Sequence, residues 1–221
     1  MKIFNALLIG SLVALASCSN GTDESKKIDE SEIVHKATSA NDAEMIIPDG
    51  MYSLTKAEST IVWSAKKFSG SKHTGTIPAL NGKMEVEGGE ITRGQISLDM
   101  NGFTVTDLEG ADKAGFDGHL KSSDFLDVEK YPTAEMKIND VKSVNGILVA
   151  SIRLNLHGGS VDYQVPVVIA SAEEESYKIT GEFVIDRTKH KIIYGSGSFF
   201  DDLGDRAIND EVHIRFEFTA L

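Results

Sequence analysis

The chain has 221 residues, 41% of them hydrophobic and 25% charged, and its formal net charge is −12. This length suits one β-rich domain with an N-terminal extension, and the acidic balance argues against nucleic acid as a partner. The single cysteine, Cys18, excludes a disulfide within the chain and a cysteine nucleophile in the folded domain.

Residues 1–17 have the features of a secretory signal peptide. Lys2 precedes an apolar run, Ile3–Ala16, that is too short to span a bilayer. Small residues come directly before Cys18 and resemble the lipobox of bacterial lipoproteins, in which the cysteine is acylated and becomes the mature N-terminus. We therefore expect a lipidated Cys18 that anchors the protein to a membrane of the bacterial cell envelope, facing the periplasm or the cell surface. The alternative is an ordinary signal-peptide residue.

Residues 18–47 are predicted to form the lipidated cysteine and an acidic, flexible tether. Residues 19–47 contain seven acidic residues, three lysines and no aromatic residue, which is the composition of a linker. The whole chain carries −12, this linker −4 and Lys2 +1, which leaves −9 for residues 48–221. A domain with that charge should stand off an anionic membrane surface.

Residues 48–221 are predicted to form an all-β domain. Apolar and polar residues alternate in segments joined by short Gly-Gly or Asn-Gly turns, as in antiparallel strands. The final strand is the clearest, with Ile214, Phe216 and Phe218 on one face. About eight strands are expected, and an antiparallel barrel would remove the edges that a sandwich, the alternative, leaves exposed. Eight strands enclose room for side chains or one small ligand.

The alternation stops between Gly102 and Asp127, where we place two short helices and irregular chain. The stretch His119–Ala134 has neither a two-residue nor a 3.6-residue period. We predict that it contains a helical turn, with Ser122 or Ser123 as its N-cap, and that it plugs one end of the barrel.

Motifs for catalysis and metal binding are missing from the sequence. There is no Gly-x-Ser-x-Gly, no His-Glu-x-x-His, no phosphate-binding glycine loop and no cysteine cluster. The six histidines are scattered, so a zinc site would need to be assembled from distant strands. Asp201, Asp202, Asp205 and Asp210 lack the spacing and closing glutamate of a calcium loop. We expect no metal, no catalytic residue and no enzymatic activity.

Six blocks of sequence, taken in order, carry a family resemblance. They are the strand around Trp63, His73-Thr74-Gly75, His119–Ala134, Leu154-x-Leu156-x-Gly158, Phe183-x-Ile185-Asp186-Arg187-Thr188 with Tyr194-Gly195, and Ile208-Asn209-Asp210-Glu211-Val212. Together they resemble the YceI-like family, the lipocalin-like polyisoprenoid-binding proteins of bacterial envelopes. The resemblance covers almost all of residues 50–221. It implies an elongated eight-stranded antiparallel barrel whose lumen holds a lipid tail, with the polar head near the mouth.

The resemblance also implies a function and a site. The protein would bind, store or transport an isoprenoid or similar long-chain amphiphile: an isoprenoid quinone, a polyprenyl phosphate or a fatty amide. A homodimer, as in relatives, is compatible with it. The candidate lumen residues are Trp63, Phe103, Leu108, Phe116, Leu120, Phe125, Met136, Ile138, Leu154, Leu156, Phe183, Ile185, Ile214 and Phe216. The head-group candidates are His119, Lys121 and Arg187.

Several alternatives stay open. Asp186 and Arg187 form either an ion pair that closes the barrel or, through Arg187, a contact with a charged head group. An envelope interaction protein with a self-filled barrel is the second functional class, and an enzyme acting on a bound lipid is the third. A cavity large enough for a tail distinguishes the first class from the second.

Overall fold

The computed structural model describes residues 47–56, 58–172 and 175–221. The predicted signal peptide, Cys18 and nearly all of the predicted tether lie outside these ranges. The elements in chain order are β1 (Gly50–Ser53), β2 (Thr60–Lys67), β3 (Lys72–Glu87), β4 (Glu90–Asp99), β5 (Thr104–Val105), α1 (Gly110–Lys121), β6 (Thr133–Val144), β7 (Ile147–Leu156), β8 (Gly159–Ser171), β9 (Tyr177–Asp186) and β10 (Ile208–Ala220). In the described ranges, no helix has the length and apolar character needed to cross a membrane.

Eight long strands close into an antiparallel barrel. Their order is β3-β2-β10-β9-β8-β7-β6-β4, and β4 pairs again with β3 to complete the ring. Each long strand therefore has a partner on both sides, which removes the open edges that favour aggregation. The short strands β1 and β5 pair with opposite ends of β3. The predicted eight-stranded antiparallel barrel is confirmed, and every strand pairing that closes it lies within residues 50–220.

The inward faces follow the sequence pattern in most strands. Along β10, Ile214, Phe216 and Phe218 are buried, and Arg215 between them is exposed. The ring of Phe216 packs over β9 at Gly181, where an added Cβ would lie 2.5 Å from the Phe216 Cζ atom. A glycine is needed at this point because the ring occupies the space of a side chain.

Strand β6 departs from simple alternation. Ala134 and Met136 are buried as the pattern predicts, whereas Ile138 is only half-buried. The register with β7 shifts between Ile138 and Asp140, and Val141 is the next buried residue. A bulge adds one residue to the strand and therefore moves the inward phase from even to odd positions.

The region between Gly102 and Asp127 contains one helix in place of the two predicted. Ser122 ends α1, since its backbone N–H and its hydroxyl both donate to the His119 carbonyl oxygen, at 3.1 and 2.8 Å. The predicted turn follows: the Phe125 N–H donates to the Ser122 carbonyl oxygen at 3.1 Å, and the Ser122 hydroxyl oxygen accepts from the Asp124 N–H at 3.3 Å, as an N-cap does. None of the residues of α1 is buried. The apolar side chains of Phe116 and Leu120 on α1 are half-buried against the core.

Candidate functional site

One end of the barrel encloses a cavity of about 570 Å³. This volume is within the range of small-molecule sites, roughly 300–1,000 Å³. Its wall is built by strands, by α1 with the turn after it, and by the segment that connects β9 to β10. Eight of the fourteen predicted lumen residues line it: Trp63, Phe103, Phe116, Leu120, Phe125, Leu156, Ile185 and Ile214.

The cavity occupies only the part of the lumen nearest this end. On each of four strands, one inward side chain lines the cavity, and the next inward side chain deeper in the barrel does not. The pairs, lining residue first, are Trp63 and Ile61, Leu156 and Leu154, Ile185 and Phe183, and Ile214 and Phe216. The deeper member of each pair is buried core. The rest of the barrel is therefore filled by its own side chains.

Aromatic rings form the floor of the cavity. Phe183 and Phe216 lie directly below the lining residues and meet edge to face, with ring centroids 6.3 Å apart. Phe216 stacks on Phe218 at 4.9 Å, and Phe183 contacts Tyr163 at 5.3 Å. Such contacts add to the burial of apolar surface. The floor is therefore a packed layer that closes the lumen below the cavity.

Six predicted lumen residues do not line the cavity: Leu108, Met136, Ile138, Leu154, Phe183 and Phe216. Four of them are buried core residues, whereas Leu108 and Ile138 are half-buried beside the core. Alternation predicts which face of a strand points inward. It carries no information on where the space between strands is already filled, so the sequence placed the cavity too deep.

Three rings cluster at the mouth of the cavity. His119, Phe125 and Tyr194 all line it, and each pair of their ring centroids is separated by 4.9 to 5.1 Å. The Nε2 atom of His119 lies 3.0 Å from a carboxylate oxygen of Asp124. Of the head-group candidates, His119 therefore lies at the mouth, whereas Lys121 does not line the cavity.

Arg187 lines the cavity but is only 4% exposed, and all five of its N–H donors are used. Its guanidinium donates to the Asp210 carboxylate, at 3.1 Å, and to four backbone carbonyl oxygens. These belong to residues 192, 194, 208 and 209, at 2.8 to 3.1 Å. Burial lowers the pKa of Arg187, which the carboxylate of Asp210 opposes. Arg187 therefore holds the connection between β9 and β10 and has no donor left for a ligand.

The ion pair expected at this strand end involves a different acid. Asp186 accepts hydrogen bonds from the backbone N–H and the hydroxyl of Thr188, at 3.0 and 2.6 Å, and thereby caps the turn that follows β9. The partner of Arg187 is Asp210, which lies 23 residues after Arg187 in the chain. Between the two alternatives left open by the sequence, the geometry favours the structural one, with Asp210 in place of Asp186.

Three cations at the mouth were missed by the sequence reasoning. Lys66, Lys67 and Arg206 line the cavity, are exposed, and have no carboxylate within ion-pair distance in the described ranges. None of the described residues that line the cavity is Asp or Glu. The signal available in the sequence was the pair of lysines at the end of β2, where the apolar alternation breaks down.

A second group of polar side chains lies buried outside the cavity lining. His190 is 0% exposed, and its Nε2 atom is 3.0 Å from the hydroxyl of Tyr163. Burial lowers the pKa of His190 and raises that of Tyr163 to about 12. Burial therefore favours the neutral form of both groups. Among the residues described, no three or more His, Cys, Asp or Glu side chains are arranged to hold a metal ion.

Fold and cavity together define a class of protein, the lipocalin-like antiparallel barrels, here with an apolar cavity at one end of the lumen. The model of the YceI-like domain matches residues 52–220 of the chain. This is well over half of the sequence. The chain therefore belongs to the YceI-like domain family, as the resemblance of its sequence blocks implied.

Two solved structures illustrate the similarity. BcnA from Burkholderia cenocepacia is 18% identical, with a TM-score of 0.59, and the match covers 76% of this chain and 99% of that one. A polyisoprenoid binding domain from Saccharophagus degradans, implicated in plant cell wall breakdown, is 14% identical, also with a TM-score of 0.59. That match covers 76% of this chain and 97% of the other. At these identities the likeness concerns the fold. None of the curated proteins matches the chain.

Proposed function

We propose that this protein binds the tail of a long-chain amphiphilic lipid in the cavity and stores or transports it in the bacterial cell envelope without catalysing a reaction. The observation that carries the proposal is an apolar cavity of about 570 Å³ at one end of the barrel, with its exposed cations at the mouth and the buried Arg187 paired with Asp210. The similarity to a polyisoprenoid binding domain supports a prenyl tail. Lipidation of Cys18, an envelope location and a homodimer belong to the same proposal.

The energetics require only a short buried tail. Burying one methylene contributes about 0.8 kcal/mol, so a five-carbon isoprene unit contributes roughly 3 to 4 kcal/mol. Three or four units then offset an association cost of ~4 to 15 kcal/mol. Because the aromatic floor closes the lumen, the cargo buries a few isoprene units or a comparable acyl segment. Any longer tail extends back through the mouth.

The charge distribution favours an anionic head group among the three expected cargo classes. Lys66, Lys67 and Arg206 at the mouth have no acidic partner in the part of the chain described, and no acidic side chain lines the cavity. This holds although residues 48–221 carry a net charge of −9. Cations that are not neutralised bind phosphate through charge-assisted hydrogen bonds. A prenyl phosphate therefore fits the mouth better than a neutral quinone or amide.

The first experiment is extraction and mass spectrometry of the lipid in residues 19–221, exported to the periplasm and purified without detergent. This form contains every strand of the barrel. We expect stoichiometric lipid in the wild-type protein and its loss in Leu156→Trp, which fills the cavity. Val168→Trp is the matched control, since Val168 is exposed on the outside of β8. An empty wild-type barrel that also takes up no added prenyl lipid would refute the proposal.

A second comparison tests the head group. We expect replacement of Lys66, Lys67 and Arg206 by glutamine to weaken binding of farnesyl phosphate at least tenfold and to leave farnesol binding unchanged. Each good charge-assisted contact contributes about 1.5 to 3 kcal/mol. Equal losses for the two ligands, measured by calorimetry, would mean that the head-group assignment is wrong.

The filled part of the lumen favours one alternative function. Phe183, Phe216 and Phe218 occupy the barrel interior as a self-filled barrel would require. In that case the protein is an envelope interaction protein and the cavity stays without cargo. The extraction experiment decides between the two, because the alternative requires an empty wild-type protein that refuses added lipid.

A further inference from the structure

The exposed aromatic side chains are concentrated at the cavity end of the barrel. In the described ranges, the aromatic residues with exposed side chains are Phe68, Tyr194, Phe199 and Phe200. Phe68 is 69% exposed and Phe199 is 56% exposed, although both are large apolar groups. Tyr194 and Phe200 also line the cavity. Clustered exposed apolar side chains mark interaction surfaces, whereas single ones are ordinary.

Backbone contacts join these residues into one surface. The Phe68 N–H donates to the carbonyl oxygen of Ala207 at 3.0 Å, beside the pairing of Lys67 with Ile208. Ile208 is bridged to Ser196, whose carbonyl oxygen accepts from the N–H groups of residues 199 and 200 at 3.1 and 3.0 Å. We call residues 66–68 and 193–208 the rim. The rim surrounds the mouth on the side of β2 and β10.

The rim also lacks the net negative charge of the domain. It contains the three mouth cations Lys66, Lys67 and Arg206 and three exposed acids, Asp201, Asp202 and Asp205. Its formal charge is therefore zero, whereas residues 48–221 together carry −9. An anionic lipid surface therefore repels the rim less than it repels a face with the average charge of the domain.

We propose that the rim docks the barrel, mouth down, on the surface of a lipid bilayer. This inference rests on the proposed function, since it supplies the route by which a lipid tail enters the cavity. Phe side chains of proteins that bind a membrane surface insert at the boundary between head groups and acyl chains, and basic residues beside them contact lipid phosphates. A bilayer leaves the mouth open to lipid, whereas a protein partner on the same rim would cover it. Docking lets a tail pass between bilayer and cavity without crossing water.

The chain enters the barrel from the opposite end. Gly50 pairs with Val86 near one end of β3. The cavity-lining His73 lies at the other end of β3, beside the mouth. A lipid anchor at Cys18 would therefore not by itself turn the mouth to the membrane. The rim provides a second, independent contact. This contact can be measured on residues 19–221, which lack the acylated cysteine.

The test compares flotation of two variants with vesicles of phosphatidylethanolamine and phosphatidylglycerol. Phe68→Ser with Phe199→Ser alters the rim at two residues that do not line the cavity. Val168→Ser with Val184→Ser is the control, because these two residues are exposed on β8 and β9 away from the rim. We expect the affinity of the rim variant for vesicles to fall about tenfold or more, because it loses phenyl groups that would be buried in the bilayer. The control should bind as the wild type does, and Phe68→Trp with Phe199→Trp should retain binding.

Binding of water-soluble farnesyl phosphate separates this inference from the proposed function. We expect the rim variant to bind it as tightly as the wild type, while its transfer of prenyl lipid out of vesicles slows. Docking would be overturned if the wild-type protein does not bind vesicles, or if the rim variant binds them as tightly as the wild type, even if farnesyl phosphate is bound. Self-association that the rim substitutions abolish, without vesicle binding, would assign the rim to a second copy of the chain. Vesicle binding without farnesyl phosphate binding would instead refute the proposed cargo and leave docking in place.

Discussion

Replacement of Arg187 by alanine should loosen the whole connection between β9 and β10. The side chain provides five N–H donors at a buried position, and the Asp210 carboxylate is among the acceptors. Breaking a buried ion pair on one side costs about 3–5 kcal/mol. Each carbonyl left unpaired costs about 1–3 kcal/mol more where water cannot reach it. Most of these acceptors are only partly buried. Water therefore replaces much of the lost bonding, and we expect a total of about 3–5 kcal/mol.

That loss is large for one substitution. A domain is stable by roughly 5–15 kcal/mol, and 1 kcal/mol corresponds to about 2–4 °C in Tm at this size. We therefore expect Tm to fall by about 6 to 20 °C. Urea unfolding of residues 19–221, followed by far-UV circular dichroism, measures the free energy. Arg187→Lys keeps the charge with three donors and should recover part of the loss.

Hydrogen exchange locates the effect. We expect faster exchange for the amides of Ile192 and Ile208, whose hydrogen bonds to residues 187 and 195 lie in the released segment. The amides that join β6 to β7 should be unchanged. If Arg187→Ala unfolds within about 1 kcal/mol of the wild type, the reasoning is refuted. Arg187 would then be free to contact a head group, as the other sequence interpretation allowed.

Three further outcomes follow from local contacts. Burial lowers the pKa of His190, so below about pH 6.5 the unfolded chain takes up a proton that the folded protein does not. The free energy of unfolding should therefore fall by up to about 1.4 kcal/mol for each unit by which the pH is lowered. Urea midpoints between pH 8 and pH 5 measure this, and an equal dependence of the free energy on pH in His190→Gln would contradict it. Gly181→Ala should destabilise the barrel by about 1–3 kcal/mol because its Cβ meets the Phe216 ring, whereas Gly197→Ala, with nothing within 4 Å, should be neutral in thermal unfolding. Cys18→Ala should abolish incorporation of labelled fatty acid in cells; label retained by this variant would rule out the lipid anchor.

Alternation in the sequence was sufficient to predict the strands and the direction of most side chains, and the family resemblance added the closed barrel. Ile214, Phe216 and Phe218 could be assigned inward because successive residues of a strand point to opposite faces, which is a local property of the chain. The family blocks, including Ile185 and Leu156, likewise marked residues that line the cavity. Helices were predicted between Gly102 and Asp127, but their number and bounds were not, since the apolar residues of α1 are only half-buried. The bulge after Ile138 escaped prediction because a bulge leaves no change in composition.

Tertiary structure decided the depth of the cavity and the roles of the charged residues. Ile185 and Phe183 have the same inward phase, but only Ile185 lines the cavity, because rings from neighbouring strands fill the lumen at the level of Phe183. The partner of Arg187 is the distant Asp210, not the adjacent Asp186. Lys67 belongs to the mouth because β2 pairs with the start of β10. Each of these features depends on the distance between atoms far apart in the chain, whereas a periodic pattern carries information only about neighbours in sequence.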